Sequence, residues 1–181
     1  FYKTFHEVRG RRYDGMIITG APVEQLDFHE VNYWEELKGI FDWSLTHVYS
    51  TLHVCWGAFA ALWHHYGIRK RLLAEKLFGI FEHEVLRPFN PLVRGFDDRF
   101  FVPHSRHTGL NLKDLAAVPA IRVLASGRRT GPFLLSTESG RILYEGAQEL
   151  TMRSRGDSYF ISFPTGCTRA LLFGQAGEEA P

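Results

Sequence analysis

Cysteine is scarce in this sequence: Cys55 and Cys167 are the only two among 181 residues. They stand far apart and in no Cys-x-x-Cys spacing, which argues against a disulfide framework and a structural zinc site, with no other metal centre expected, and makes a reducing cytoplasm the expected setting. An excess of charge of one sign is lacking too. The 21 basic and 20 acidic residues are interspersed and leave a net charge of +1, so there is no electrostatic footprint for nucleic acid or for an anionic membrane surface. No apolar run approaches the ~20 residues of a membrane-spanning helix. The opening FYKTFHEVRGRR lacks the apolar core of a signal peptide. Histidine is plentiful, with nine residues, yet none follows His107. A soluble enzyme or binding module for a small neutral or anionic ligand fits these absences best.

The chain is 45% hydrophobic, enough for one sizeable core, and its length favours a single domain. Opening on Phe1, the stretch FYKTF reads as an element already under way, which predicts further sequence ahead of it and an edge of the sheet left unpaired. The β-branched run GMIITG at 15–20 predicts a strand feeding a loop at Ala21-Pro22. From Glu30 to His47 the apolar positions recur at three- and four-residue spacing, as on an amphipathic helix. Val48 to Val54 reads as a strand, and Trp56 to Tyr66 as a helix that stops at Gly67. Further strands are expected over 77–86, 99–106, 121–126, 133–137 and 141–145, with a short helix at 111–118 behind an Asn cap. This alternation predicts an α/β fold with a largely parallel sheet flanked by helices. Residues 1–145 form its core, and 146–181 a less patterned segment of the same domain. Ligands then belong at the carboxyl ends of strands, near Gly20 to Glu24 and Cys55 to Gly57.

Cys55 stands where a strand passes directly into a helix, in TLHVCWGAFAAL. A thiol on such a turn is lifted to the edge of the sheet, and the following N–H groups can lower its pKa or hold an oxyanion, as at a nucleophile elbow. Free cysteine is also among the most buried residue types, so nucleophile and packed core residue both stay open. Of the histidines, His83 in FEHE and His104 in PHSR are the best placed to serve a nucleophile. The adjacent pair His64-His65 lacks the i, i+4 spacing of a helical metal site. Lys76 and Ser105 lie near expected strand ends, where a cation and a hydroxyl could hold a carboxylate. The adjacent carboxylates of GFDD, without a third ligand nearby, read as a turn.

The blocks DGMIITGAPVE, STLHVCWGAFAAL, EKLFGIFEHEVL and RGFDDRFFVPHSR, running from FYKTF to about residue 145, resemble the homoserine O-acyltransferase family of methionine biosynthesis, the kind related to class I glutamine amidotransferases. The resemblance implies a class I glutamine amidotransferase-like, flavodoxin-like fold lacking its N-terminal part. It also implies acyl transfer from an acyl-CoA, through a cysteine thioester, to the hydroxyl of L-homoserine. By this resemblance Cys55 carries the acyl group, the Trp56 N–H serves the oxyanion, and Lys76 and Ser105 bind substrate. Glu24, two places after the Ala-Pro of TGAP, marks acetyl-CoA rather than succinyl-CoA as donor, because a carboxylate there repels the succinyl carboxylate. The partners implied are L-homoserine and acetyl-CoA, the latter a co-substrate with no resident cofactor; a homodimer is left open.

The family carries a Gly-His-Pro-Glu type stretch where this sequence reads YEGAQEL. Gly146 and Glu149 align with its first and last residues, and Glu149 is thereby implied as catalytic, while Ala147 takes the place of the histidine that acts as base. Three readings follow: an active homoserine O-acetyltransferase, a relative that binds substrate or CoA without turnover, and a thiol hydrolase or amidotransferase-like enzyme using His83 or His104 as base.

Overall fold

The computed structural model describes residues 3–146 and the strand at 170–173. In chain order the elements are α1 (Phe5–Val8), β1 (Tyr13–Ile18), α2 (Trp34–His47), β2 (Val48–Val54), α3 (Trp56–Tyr66), β3 (Arg71–Val85), β4 (Arg99–Gly109), α4 (Leu112–Ala116), β5 (Ile121–Gly127), β6 (Gly131–Thr137), β7 (Ile142–Glu145) and β8 (Ala170–Phe173). The eight strands make one sheet in the order β4-β3-β5-β6-β7-β2-β1-β8. Its parallel part is the trio β7-β2-β1, toward one side of the sheet, in which β2 pairs with β1 on one side and β7 on the other. The remaining neighbours are antiparallel. The α/β architecture is as the sequence predicts, while the sheet, expected to be largely parallel, is mixed: antiparallel strands extend the parallel trio on both sides.

Why these elements form is clear in the best-patterned ones. Trp34, Leu37, Phe41 and Ser44 are the buried residues of α2, a stripe at three- and four-residue spacing that lies on β2 and α3. The helix was expected from Glu30 but begins at Trp34. Asp27 caps a separate short turn at Phe28–Glu30 by accepting from the His29 N–H at 3.0 Å, and Val31 then leaves helical geometry. Helix α3 is buried along its whole first half, from Trp56 to Leu62. It ends as predicted at Gly67, whose φ of 67° is left-handed, and the Ile68 N–H returns to the Leu62 carbonyl at 3.3 Å.

Strand β3 departs most from expectation. It starts at Arg71 rather than 77, and its register with β4 shifts between Leu72 and Leu77. Leu72, Phe78 and Ile80 on this strand are exposed, so hydrophobic periodicity gave no sign of its first half. Burial divides into two clusters. One lies around β1, β2, α2 and α3, with Phe41, Trp56 and Leu62 at its centre. The other joins Val93, Val102, Leu124, Phe133 and Leu134 among the hairpin strands. The free edge expected beside β1 is covered, because β8 pairs antiparallel along Gly15 to Ile18.

Candidate active site

The turn from β2 to α3 places one residue in an unusual conformation. Cys55, with φ 55° and ψ −125°, is the one non-glycine residue with positive φ among those described. Side chains rarely adopt that region, and holding one there costs on the order of 1–3 kcal/mol. The neighbours account for how it is held. A Cβ on Gly20 would lie 2.9 Å from the Cys55 Cβ and 3.0 Å from its Sγ, and one on Gly57 would lie 2.7 Å from the Thr19 carbonyl oxygen. The end of β1 and the start of α3 thus close around the thiol, and only glycine fits at either position. The two strand ends that the sequence assigned to one crevice do meet there.

The thiol is buried, and burial pushes its pKa up to about 12; Glu24 and Glu145 push it the same way, while the Trp56 N–H and the Arg106 guanidinium pull it down. The Trp56 backbone amide, expected to serve an oxyanion, thus favours the charged form of the sulfur. Glu24 is fixed by its surroundings. Its Oε2 accepts from the His107 N–H at 3.0 Å and from the Thr108 hydroxyl at 3.2 Å. Its carbonyl accepts from the Lys70 ammonium at 2.6 Å, and that ammonium also binds the Leu26 carbonyl and lies 4.6 Å from the Phe28 ring centroid.

Lys76 and Ser105 do not sit at strand ends. Lys76 lies inside β3 at the register shift, exposed, with its ammonium 5.6 Å from the Phe78 ring centroid. Ser105 lies within β4, half-buried and paired with Phe78. The reason is the extra length of β3, which turns the expected strand start into mid-strand. Ala147 and Glu149 fall outside the described residues. His83 and His104 are both buried and hydrogen-bond to each other, Nε2 to Nε2, at 3.1 Å. His104 also receives the Arg106 Nε–H at 3.2 Å, so neither ring is free to serve the thiol. His64 instead meets Asp42 of α2, at 2.7 Å, and these two with His65 bring ligand-type atoms within 4.8 Å of one another. Sequence spacing could not show this, since Asp42 comes from another helix.

Two residues of the site escaped sequence reasoning. Arg106 ends the strand expected over 99–106 and drew no functional reading; it is 2% exposed, and Cys55 and Glu24 favour its charged form against burial. Glu145 ends β7 beside β2, pairs with Val54, and accepts the Cys55 N–H on its carbonyl at 2.8 Å. Its carboxyl is buried, and burial pushes its pKa up to about 7. The available signal was positional: a carboxylate closing a strand next to the strand that ends in the cysteine.

Comparison with known proteins places this geometry. Among solved structures the fold is similar to a glutamine amidotransferase from Thermotoga maritima (TM-score 0.60, 12% identity, 82% of this chain and 59% of that one). It is likewise similar to a glutamine amido transferase from Methylobacillus flagellatus (TM-score 0.56, 9% identity, 71% and 48%). At these identities the likeness is one of fold. In sequence, the chain is 56% identical over 144 residues to the homoserine O-acetyltransferase of Acetivibrio thermocellus, covering 80% of this chain and 47% of that protein. It is 55% identical over 141 residues to that of Bacteroides thetaiotaomicron, covering 78% and 46%. The chain thus spans about half the length of the curated relatives it matches. The family model described as homoserine O-succinyltransferase matches residues 1–154, and this chain belongs to the homoserine O-succinyltransferase family.

Proposed function

We propose that the protein transfers an acetyl group from acetyl-CoA to the hydroxyl of L-homoserine through a thioester on Cys55. The observation that carries this reading is the elbow itself: a thiol held at positive φ between β2 and α3, closed in by Gly20 and Gly57. Strain of this kind at a sulfur is hard to account for by packing alone. In the first step Cys55 gives up its proton and its sulfur attacks the acetyl carbonyl; the bond to the CoA sulfur breaks and CoA leaves as its thiol with a proton. In the second step the homoserine hydroxyl attacks the thioester and loses its proton, which gives the O-acetyl ester and regenerates the thiol. Glu145 is our candidate to receive the thiol's proton, since a carboxyl pushed up to about 7 by burial both accepts and returns a proton near neutral pH. Glu24 selects the donor. Its carboxylate, locked by His107 and Thr108, leaves room for an acetyl group and repels a second carboxylate.

Incubation of the full chain with acetyl-CoA, followed by intact mass, is expected to show one added acetyl group that is absent in Cys55→Ala and is discharged by homoserine. A folded sample that gains no acetyl group overturns the proposal. Glu24→Gly is expected to raise the rate with succinyl-CoA relative to acetyl-CoA.

A further inference from the structure

Consecutive residues of a helix do not face each other, so His64 and His65, in the last turn of α3, would not by themselves be expected to share a ligand. Their rings nevertheless lie 4.9 Å apart. The packing of α2 on α3 accounts for this. Phe41 of α2, fully buried, sets its ring against both imidazoles, at 5.8 Å from His64 and 5.9 Å from His65, and Trp34 meets His64 in a T-shaped contact at 6.4 Å. The residue after Phe41 is Asp42, and the same packing brings its Oδ1 to 2.7 Å from His64 Nε2. Asp42, His64 and His65 thereby hold one ligand-type atom each within 4.8 Å of the other two.

Two imidazoles and a carboxylate form a donor set that suits zinc and its neighbours among the divalent transition metals, whereas magnesium and calcium take oxygen ligands. Bonds of ~2.0–2.2 Å in a tetrahedral arrangement put ligand atoms about 3.4 Å apart. The observed spacings bracket that value, and small rotations of the three side chains reach it. His65 Nε2 is enclosed and without a hydrogen-bond partner among the described residues. The Asp42 side chain is 64% exposed and that of His64 19%, so an ion can enter from solvent, and a water can complete its coordination. The carboxyl end of α3, where the three residues meet, favours a cation through the helix dipole. His64 follows Cys55 by nine residues, roughly 13 Å at 1.5 Å per residue, so an ion there stands clear of the thiol.

We propose that Asp42, His64 and His65 bind a divalent transition-metal ion of the zinc class, which clips α2 to the end of α3. Binding replaces the hydrogen bond between His64 and Asp42: Nε2 gives up any proton it carries, Nδ1 holds the ring proton, and the imidazole stays neutral. The role is structural. It steadies the helix that starts directly after Cys55, and it stands or falls independently of acyl transfer. The test is titration of the full chain, stripped with EDTA, with zinc chloride, read by calorimetry and by the rise in Tm, since an ion that binds the native state stabilises it. One zinc per chain is expected, and a large excess of magnesium chloride should leave it in place. Asp42→Ala and His64→Leu are each expected to weaken binding by about tenfold or more and to remove most of the rise in Tm, because even a group that only orients a ligand is worth that much. Asp42 is exposed, so its alanine variant keeps the test open should a change at His64 prevent folding. Cobalt chloride in place of zinc separates this site from the cysteines: bound through nitrogen and oxygen, the ion shows visible d–d bands without a thiolate charge-transfer band in the near ultraviolet. A stripped chain that takes up no zinc overturns the proposal. Equal affinity in wild type and Asp42→Ala, displacement of zinc by magnesium, or a cobalt spectrum dominated by the thiolate band does the same.

Discussion

At the scale of single residues the site depends on the absence of side chains as much as on their presence. Gly57 follows Cys55 by two positions, and its missing Cβ is what lets α3 start directly beneath the Thr19 carbonyl. Gly57→Ala forces those backbones apart. The expected outcome is a loss of about 1–3 kcal/mol in urea unfolding together with a Cys55 that no longer gains an acetyl group; an alanine variant of unchanged stability would mean that the contact relaxes freely. Cys55 was legible at this scale, because the change from strand to helix across one residue is written in VYSTLHVCWGAFAAL. Arg106 was not. It closes a stretch that reads as an ordinary strand, and nothing local reports that its side chain is 2% exposed and bonded to His104 and to the Thr108 and Thr130 carbonyls.

At the scale of elements, Lys70 couples two pieces of chain that never pair as strands. It stands just ahead of β3, and its ammonium binds the carbonyls of Glu24 and Leu26 in the loop that follows β1. Burial lowers its pKa, while Asp27, Glu24 and Glu30 support its charge. Lys70→Met keeps the apolar stem and removes both bonds. It is expected to cost about 1–2 kcal/mol, a charged donor being worth somewhat more than a neutral one. By loosening Glu24 it should also lower the preference for acetyl-CoA over succinyl-CoA several-fold, measured as the ratio of the two acylation rates. An unchanged ratio would show that His107 and Thr108 alone hold the carboxylate. Helices α2 and α3 were readable from periodicity and from the cap at Gly67, whereas the first half of β3 was not. A strand whose apolar residues face solvent carries no inside-outside alternation.

For the whole molecule, the titration of buried groups gives stability two opposing slopes. His53, stacked on Tyr144 at 5.0 Å and tilted against Phe41 at 5.6 Å, is held neutral by burial, with its pKa lowered from 6.5 to about 3. The unfolded chain takes up a proton there below pH 6.5 and the native chain does not, so stability falls on acidification through that window, by up to ~1.4 kcal/mol per pH unit. Glu145 works the other way. Its pKa is raised from 4.5 to about 7, so the native chain keeps a proton that the unfolded chain releases, and stability falls as pH rises between those values. Glu145→Gln should therefore gain on the wild type by up to ~3 kcal/mol at pH 8 and by little at pH 4, and His53→Gln should flatten the acid limb. Thermal unfolding across pH 4–8 checks both, and an equal gain for Glu145→Gln at the two ends would mean an ordinary carboxyl.

By itself the sequence determined the alternation of strand and helix, the caps at Asn111 and Gly67, the position of Cys55 between β2 and α3, and the blocks that place the chain in its family. These are local properties, set by period, turn chemistry and neighbouring residue types. Only the tertiary structure decided that Gly20 closes on Cys55, that β7 lies against β2 and so sets Glu145 beside the thiol, and that β8 covers the edge of β1. It also decided that His83, His104 and Arg106, from two different strands, are joined by hydrogen bonds in the interior. Each of these brings together side chains from segments distant in sequence, and their burial, which fixes protonation as firmly as geometry, belongs to the packed molecule and to no single segment.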